Sequence, residues 1–246
     1  MFAFEIWGQF ASFRDPFTIS QNISFPIPPK TTVAGMMAAI LGVEEYFDDE
    51  AFSTFSYSVV VLNPIIKKSF SQNYINDYTS KVQTHINSLK KSDFSKVSTG
   101  LRDKKSPQKP INRELLLNPK YLIVIKEFKY EKQIISYMND RISKFPFYLG
   151  NSEFSGNFRL IELKNVHKEI LKTAKLDSFI LEEDLKQVDF KEGVRYSTIS
   201  FATKLSKSRT PIESTSVIVG SEPITMKEAS VDIITTQLGK YHCRFI

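Results

Sequence analysis

Short hydrophobic runs separated by polar turns extend along most of the chain, and two further segments have helical spacing instead. Apolar residues at positions i, i+3, i+4, i+7 and i+8 predict a helix from Val33 to Leu41, with Thr31 or Thr32 as its N-cap and Gly42 as its end. In residues 131–142, Ile134, Ile135, Met138 and Ile142 would lie on one helical face, which predicts a second helix. Four runs predict β-strands, at residues 2–7, 56–66, 121–125 and 158–163.

The order of these elements is strand, helix, strand, strand, helix, strand. This order is typical of an α+β fold of the ferredoxin-like or RRM type, in which both helices pack on one face of an antiparallel sheet. We therefore predict such a domain over residues 1–165. A short helix at residues 179–185 and three β-rich runs predict a smaller β-rich C-terminal subdomain over residues 166–246.

A polar stretch at residues 67–118 separates the second predicted strand from the third. It is broken by Gly100, Pro107 and Pro110, and it has no long apolar run. Structureless loops of this length are uncommon in compact domains unless they serve a function. We expect an insertion that projects as a hairpin with short helical pieces.

The positive charge of the chain is concentrated in this insertion. The whole chain has a formal net charge of +6, whereas residues 67–113 contain nine lysines and two arginines against three aspartates, a net charge of +8. The remainder of the chain therefore has a net charge of −2. A local excess of this kind indicates either a polyanionic partner bound at one place or a solvated, lysine-rich loop.

Composition excludes several other classes of protein. Of the 246 residues, 41% are hydrophobic and 24% charged, which is ordinary for a globular protein. No apolar run is long enough to span a membrane, and the first residues have no basic n-region, so we expect a cytoplasmic location without a membrane partner. The single Cys243 excludes an internal disulfide and a thiolate metal cluster.

Motifs of common enzymes are missing from the sequence. It has no glycine-rich phosphate loop, no dinucleotide-binding glycine motif, no HExxH zinc motif and no GxSxG nucleophile elbow. Paired acidic residues are expected to be solvated, so we predict neither a metal nor another cofactor. A metal-independent ribonuclease needs only an acid, a base and nearby cations, and it therefore stays an alternative. Its candidate residues are His85, Lys81, Lys90, Lys91, Tyr74 and Tyr78.

Binding of phosphates has more support, because three short segments offer suitable groups. Lys30, Thr31 and Thr32 lie at a predicted helix N-terminus, where unpaired N–H groups and the helix dipole attract anions. Arg14 can pair with a phosphate through two N–H groups or stack on a base. The sequence Gly150-Asn151-Ser152 can form a turn with free N–H groups. The aromatic residues beside Arg14 are expected mainly in the core.

The insertion adds the largest group of candidate contacts. Clustered cations of this kind suit binding to a nucleic-acid backbone, and amide side chains among them are able to contact base edges. The cations are Lys96, Arg102, Lys104, Lys105, Lys109 and Arg113, and the amides are Gln108 and Asn112.

Four blocks of the sequence together resemble one known family, the fifth CRISPR-associated protein family. These blocks are Trp7-Gly8-x-Phe10-Ala11-x-Phe13-Arg14, Pro26-x-Pro28-Pro29-Lys30-Thr31-Thr32-x-x-Gly35-Met36, Pro110-Ile111-Asn112-Arg113-Glu114-Leu115-Leu116-x-x-Pro119-x-Tyr121 and Tyr148-Leu149-Gly150-Asn151-Ser152-Glu153-Phe154. The last two blocks are most similar to the type I-B branch. The resemblance covers residues 2–155.

The resemblance implies a RAMP fold, which is a modified RRM with a thumb inserted between its second and third strands. It also implies a subunit of the type I surveillance complex, Cascade, that holds the 5′ handle of the CRISPR RNA. The implied partners are the backbone subunit that polymerises along the guide, the large PAM-recognising subunit and, through the complex, target DNA. One branch of the family cuts precursor RNA itself, but its catalytic residues do not match positions in this sequence.

The sequence therefore predicts a non-catalytic RNA-binding subunit. Arg14, Lys30, Thr31 and Thr32 would hold handle phosphates, and Gly150, Asn151 and Ser152 would offer main-chain contacts. The thumb would lie between the handle and the first guide base, with contacts from Arg102, Lys104, Lys105, Gln108, Asn112 and Arg113. The alternatives are the metal-independent endoribonuclease and a scaffold that contacts only protein.

Overall fold

The computed structural model describes residues 1–18, 21–75, 81–94 and 108–246. Its elements, in chain order, are β1 (Phe2–Trp7), β2 (Phe10–Ala11), β3 (Gln21–Asn22), α1 (Lys30–Leu41), α2 (Ala51–Thr54), β4 (Ser56–Val61), β5 (Ile66–Ile75), α3 (Lys81–Lys90), β6 (Gln108–Leu117), β7 (Lys120–Lys126), α4 (Glu131–Asn139), β8 (Asn157–Ile161), β9 (Leu163–Leu176), β10 (Ile180–Leu181), β11 (Val188–Asp189), β12 (Tyr196–Leu205), β13 (Pro211–Gly220), β14 (Ile224–Thr236) and β15 (Lys240–Cys243). Short 3-10 helices cover Tyr46–Asp48 and Glu182–Gln187. The predicted α+β class is confirmed.

A four-stranded antiparallel sheet forms the centre of the molecule, with the strand order β4-β7-β1-β8. Its strands are the four that the sequence predicts within residues 1–165. Three of them have both ends within two residues of those expected, whereas β4 ends at Val61 and not at residue 66. Side chains alternate between two faces, as the period of a strand requires. Phe4 and Ile6 pack with α1 and α4 on one face, whereas Ala3 faces the opposite side.

Helix α1 begins earlier than its apolar spacing predicts. Its N-cap is Pro29, which makes no side-chain capping bond, and the N–H of Val33 donates to the Pro29 carbonyl at 3.0 Å. The prediction of a threonine cap is therefore wrong, because Thr31 and Thr32 lie within the first turn. The fixed φ of the preceding prolines starts the helix without a polar cap. The predicted end at Gly42 is confirmed, since Gly42 adopts the left-handed conformation with φ of 77°.

Two buried tyrosines hold the proline segment that leads into α1. The Tyr121 hydroxyl donates to the Pro26 carbonyl at 2.7 Å, and the Tyr57 hydroxyl donates to the Pro28 carbonyl. Burial raises the pKa of both phenols, so each remains a hydrogen-bond donor over the physiological pH range. The start of α1 is thereby fixed to the central sheet.

Residues from the C-terminal third cover both sides of this core. Ile234 of β14 and Cys243 of β15 pack against the sheet face that carries Ala3. On the helical side, Ile199 and Phe201 of β12 belong to the same hydrophobic cluster as α1. The segment 166–246 therefore shares two hydrophobic clusters with residues 1–165, whereas a third cluster lies entirely within it, and its separation as a subdomain stays a prediction.

The C-terminal third has more strand structure than its sequence pattern predicts. Strands β9 and β14 pair over most of their length, although neither was predicted. The predicted helix at residues 179–185 is wrong. Residues 180–181 form β10, which pairs with β13, and the 3-10 helix follows directly. Glu182, Glu183 and Asp184 lie in the first turn of that 3-10 helix.

Strands β5 and β6, of ten residues each, pair in antiparallel orientation and form a hairpin arm within the predicted insertion. Helix α3 lies in the chain between them. At its base, β6 also pairs with β2 in antiparallel orientation and with β3 in parallel orientation. The arm is thus joined by main-chain bonds to the block around Arg14. Lys96, Arg102, Lys104 and Lys105 lie outside the described residues.

Candidate nucleic-acid interface

A cavity of about 320 Å³, here called the Arg14 groove, brings together residues from distant parts of the sequence. Five predicted site residues line it, and they come from all four sequence blocks. The lining consists of Ser12, Phe13, Arg14, Asn22, Thr32, Arg113, Gly150, Asn151 and Glu153. The tertiary fold thus places these blocks around one concave surface.

Gly150 closes this groove against the N-terminal segment. The N–H of Ser12 donates to the Leu149 carbonyl at 3.1 Å, which brings the two backbones together. Gly150 has a φ of 86°, and a Cβ added to it would lie 2.1 Å from the Ser12 carbonyl oxygen. Only glycine fits a left-handed position at this distance. The turn predicted here is therefore a close backbone contact that sets the groove wall.

Arg14 is the exposed cation of the groove. Its backbone forms an isolated bridge with Ser24, and its guanidinium donates to the Thr18 carbonyl at 3.4 Å. The neighbouring Phe13 is buried, and its N–H donates to the Ser24 hydroxyl at 3.0 Å. Among the described residues, Arg14 forms no salt bridge with a carboxylate. Its side chain therefore offers an uncompensated charge, and contacts with Ser24 hold the backbone that carries it.

Arg113 has a different environment, because its charge is already compensated. It is 5% exposed, forms a 2.6 Å ion pair with Glu153 and donates to the Gln72 side chain at 3.2 Å. Its guanidinium also lies 5.3 Å from the centre of the Phe154 ring. Arg113 therefore joins the hairpin arm to the loop of residues 148–155, and Glu153 adds a negative charge that sequence reasoning did not anticipate.

Lys30 does not reach the groove, which corrects the prediction that it contacts phosphate there. Its side chain is buried, with the amine 5.1 Å from the centre of the Phe55 ring. Burial lowers its pKa, while Glu213 acts in the opposite direction. The helix starts at Lys30 itself, so the expected exposed position before the helix does not exist.

The remaining predicted residues lie around the groove or outside the described part. Asn112 is exposed on β6, where it pairs with Gln21, and Ser152 is exposed in the loop after Gly150. Gln108 is the first residue of β6, and its side chain lies outside the described residues. Arg102, Lys104 and Lys105 also lie outside them, so their roles stay predictions.

A second cavity, here called the Tyr148 pocket, adjoins the Arg14 groove and shares Thr32 and Gly150 with it. Its volume is about 290 Å³. The other lining residues are Thr31, Gly35, Met36, Ala39, Tyr46, Phe47, Pro146, Phe147, Tyr148, Leu205 and Arg209. Thr31 therefore belongs to this pocket and not to the groove.

Sequence reasoning missed Tyr46, Phe47 and Arg209, although one signal pointed to the pocket. Gly35 within α1 predicts a close approach by backbone or by a ligand, whereas in the structure the Tyr46 side chain approaches it. A Cβ at Gly35 would lie 3.1 Å from the Tyr46 hydroxyl oxygen. Burial raises the pKa of Tyr46, and the charge of Arg209 partly opposes this effect.

Within the described residues, no group of three or more histidine, cysteine, aspartate or glutamate side chains is arranged to hold a metal ion. Every helix there is too short or too polar to cross a lipid bilayer.

Comparisons with known proteins agree with the resemblance in the sequence. A family model described as CRISPR-associated protein (Cas_Cas5) matches residues 1–230. A solved structure described as a CRISPR RNA-guided surveillance complex superposes with a TM-score of 0.53 at 12% identity, covering 91% of this chain and 90% of the other. That similarity shows a shared fold.

A second structure, of the type III-B Cmr-β complex bound to cognate target RNA and AMPPnP, has a TM-score of 0.48 at 15% identity, covering 92% of this chain and 86% of the other. No curated protein sequence is significantly similar to the chain. Because the family model matches residues 1–230, nearly the whole chain, this protein belongs to the Cas5 family of CRISPR-associated proteins.

Proposed function

We propose that this protein is a non-catalytic RNA-binding subunit that holds the 5′ handle of the CRISPR RNA in a type I surveillance complex. The observation that carries the proposal is the Arg14 groove, in which the four blocks of the family resemblance meet. The groove combines an exposed arginine with a hydroxyl side chain and a glycine-containing loop. These are the groups that contact phosphate oxygens in protein–nucleic acid complexes.

Within the groove, Arg14 binds a handle phosphate through its fork of N–H donors. Thr32 adds a hydroxyl, and Asn151 adds an amide beside the Gly150 turn. Arg113 keeps its ion pair with Glu153 and holds the groove walls together. The bound strand therefore depends more on Arg14 than on Arg113, although both line the same cavity.

We also propose the finer details of the fold. The strand order β4-β7-β1-β8, with α1 and α4 on one face, supports the ferredoxin-like RAMP assignment. The β5–β6 hairpin arm lies between the second and third core strands, where the family resemblance implies a thumb. Residues 1–165 form the RAMP domain of this proposal, and residues 166–246 form the smaller subdomain packed against it.

The proposed partners follow from membership of the family. The solved structure that shares this fold is described as a CRISPR RNA-guided surveillance complex, which supports a role as one subunit among several. We infer a backbone subunit and a large PAM-recognising subunit as neighbours, contact with target DNA through the complex, and a cytoplasmic location. The third and fourth sequence blocks favour the type I-B branch.

Co-expression with a repeat–spacer transcript tests this function. The tagged protein is purified and washed at high salt concentration, and the RNA that remains bound is sequenced. We expect one RNA population that begins within the repeat and shares a fixed 5′ segment. Random cellular RNA would contradict specific binding of the handle, and protein free of RNA in all preparations would favour a scaffold that contacts only protein.

The same preparation separates RNA binding from RNA cleavage. The proposal predicts that repeat RNA incubated with the protein in EDTA stays intact. His85 lies on α3, and its side chain lies outside the described residues, so the ribonuclease alternative depends on this assay. Cleavage at one position in the repeat, abolished by His85→Ala, would replace the non-catalytic assignment with a metal-independent endoribonuclease.

A further inference from the structure

We propose that the Tyr148 pocket receives one unstacked base of the RNA bound in the Arg14 groove, and that Arg209 closes over this base. This inference rests on the proposed function, because it assigns a base-binding site next to the proposed phosphate site. Arg209 lies between β12 and β13, outside the four sequence blocks of the family resemblance.

The position of the pocket supports a nucleotide as its occupant. Thr32 and Gly150 line both cavities, so a strand whose phosphates lie along the groove passes the pocket opening. The volume of about 290 Å³ lies at the lower end of the range for small-molecule sites. A single base suits this size, whereas a stacked segment of RNA does not.

The lining of the pocket has the chemistry that recognises single-stranded bases. Such bases bind by stacking on aromatic rings or arginine planes and by hydrogen bonds to their edges. Tyr148 is 42% exposed and lines the pocket with an aromatic ring, and Phe47 contributes a second ring to the lining. Thr31 and Tyr46 supply hydroxyl groups, which are able to donate to and accept from a base edge.

Arg209 is fixed at the pocket by the turn that carries it. It adopts a left-handed backbone conformation with φ of 61°, and its N–H donates to the Ser206 carbonyl at 2.9 Å. The N–H of Ser206 in turn donates to the Thr210 carbonyl at 2.9 Å. The guanidinium lies 5.5 Å from the centre of the Phe47 ring. Arg209 lines the pocket, and among the described residues it forms no salt bridge, so no carboxylate there competes with a base for its donors.

An abasic scan combined with substitutions tests the inference. The RNA that co-purifies with the protein is synthesised with a single abasic nucleotide at each position of its 5′ segment, and each version is titrated against the full-length protein. We expect one abasic position to weaken binding to the wild type about tenfold, as loss of one stacked base does. Arg209→Ala and Tyr148→Ala should each weaken binding of intact RNA by a similar factor.

The decisive measurement is whether the losses of affinity caused by the abasic nucleotide and by Arg209→Ala add together. At the sensitive position, Arg209→Ala should cause no further loss, because the base that it covers is already absent. Tyr148→Phe should bind like the wild type, since the ring remains. Lys207→Ala removes an equal charge from the same turn but does not line the pocket, and it should leave the abasic profile unchanged.

Two results would overturn the inference while the proposed function stands. In one, every abasic RNA binds the wild type as well as intact RNA does. In the other, Arg209→Ala weakens all abasic RNAs by the same factor, which would make Arg209 a general electrostatic contact. Failure of the proposed function is distinguishable from both, because the wild type would then not bind the intact RNA.

Discussion

At the scale of single residues, Gly150 shows how tightly the groove is built. Its backbone conformation and its distance to Ser12 leave no room for a side chain. The sequence predicted a turn here from residue types alone, but it could not predict the Ser12 contact, because the two positions are distant in the chain. Lys30 illustrates the same limit, since a lysine beside threonines indicates an exposed site until the packing around Phe55 is known.

Substitution of Gly150 should destabilise the protein more than substitution of another left-handed glycine. Gly150→Ala combines backbone strain with a clash against the Ser12 carbonyl, and we expect a loss of about 3 kcal/mol in the free energy of unfolding. Gly193→Ala is the matched control, because Gly193 has a φ of 83° with nothing within 4 Å of an added Cβ. It should cost about 1 kcal/mol. Urea unfolding measures both, and equal losses would show that the close contact contributes nothing.

The buried Cys243 predicts a loss of stability at alkaline pH. Burial raises the pKa of its thiol from 9.0 to about 12, so the folded state keeps a proton that the unfolded chain releases above about pH 9. The free energy of unfolding should therefore fall as the pH rises from 9 toward 12. Urea unfolding at pH 8 and pH 10.5 measures the fall. In Cys243→Ala the fall should be smaller, and an unchanged fall would assign it entirely to other groups such as the buried tyrosines.

At the scale of elements, local pattern was sufficient where an element is largely buried or buries one regular face. Strands β1, β4 and β7 were predicted as short runs of apolar residues and are buried on both faces, and both long helices were predicted because their apolar residues recur with a helical period. Strand β9 was missed because most of its side chains are exposed on both faces, which removes the alternation. The start of α1 was misplaced because proline rigidity, and not a polar cap, begins that helix.

The positive charge of the inserted segment, residues 67–118, should strengthen RNA binding. Lys104→Ala combined with Lys105→Ala removes two cations, and we expect weaker binding of the CRISPR RNA and a less steep salt dependence. Equilibrium titrations at several salt concentrations measure both quantities. An unchanged affinity and an unchanged salt dependence would remove these lysines from the interface and favour the interpretation of a solvated loop.

At the scale of the whole molecule, the arrangement of layers determines where RNA is able to bind. The central sheet is covered by α1 and α4 on one face and by Ile234 and Cys243 on the other. A bound strand therefore has no access to the broad sheet faces. The concave surface that remains is formed by loops and by the base of the hairpin arm, where the Arg14 groove and the Tyr148 pocket adjoin.

The convergence of the four sequence blocks was predictable only in part. Arg14, Thr32 and Gly150 were singled out by residue type and by family resemblance, and the fold places them together. Arg209 was not singled out, because the turn that carries it has no sequence motif. This turn reaches the site only through the packing of β12 against the helices. The sequence thus predicted the phosphate side of the proposed interface and missed its aromatic side.

The most direct test of the account is the salt dependence of CRISPR RNA binding by Arg14→Ala, with Arg195→Ala as the matched control. Both arginines are exposed, but Arg195 lies on the segment before β12 and does not line the groove. We predict that Arg14→Ala lowers affinity about tenfold and reduces the slope of log affinity against log salt by about one, while Arg195→Ala matches the wild type. Equal behaviour of the two variants would contradict the placement of RNA phosphates in the Arg14 groove.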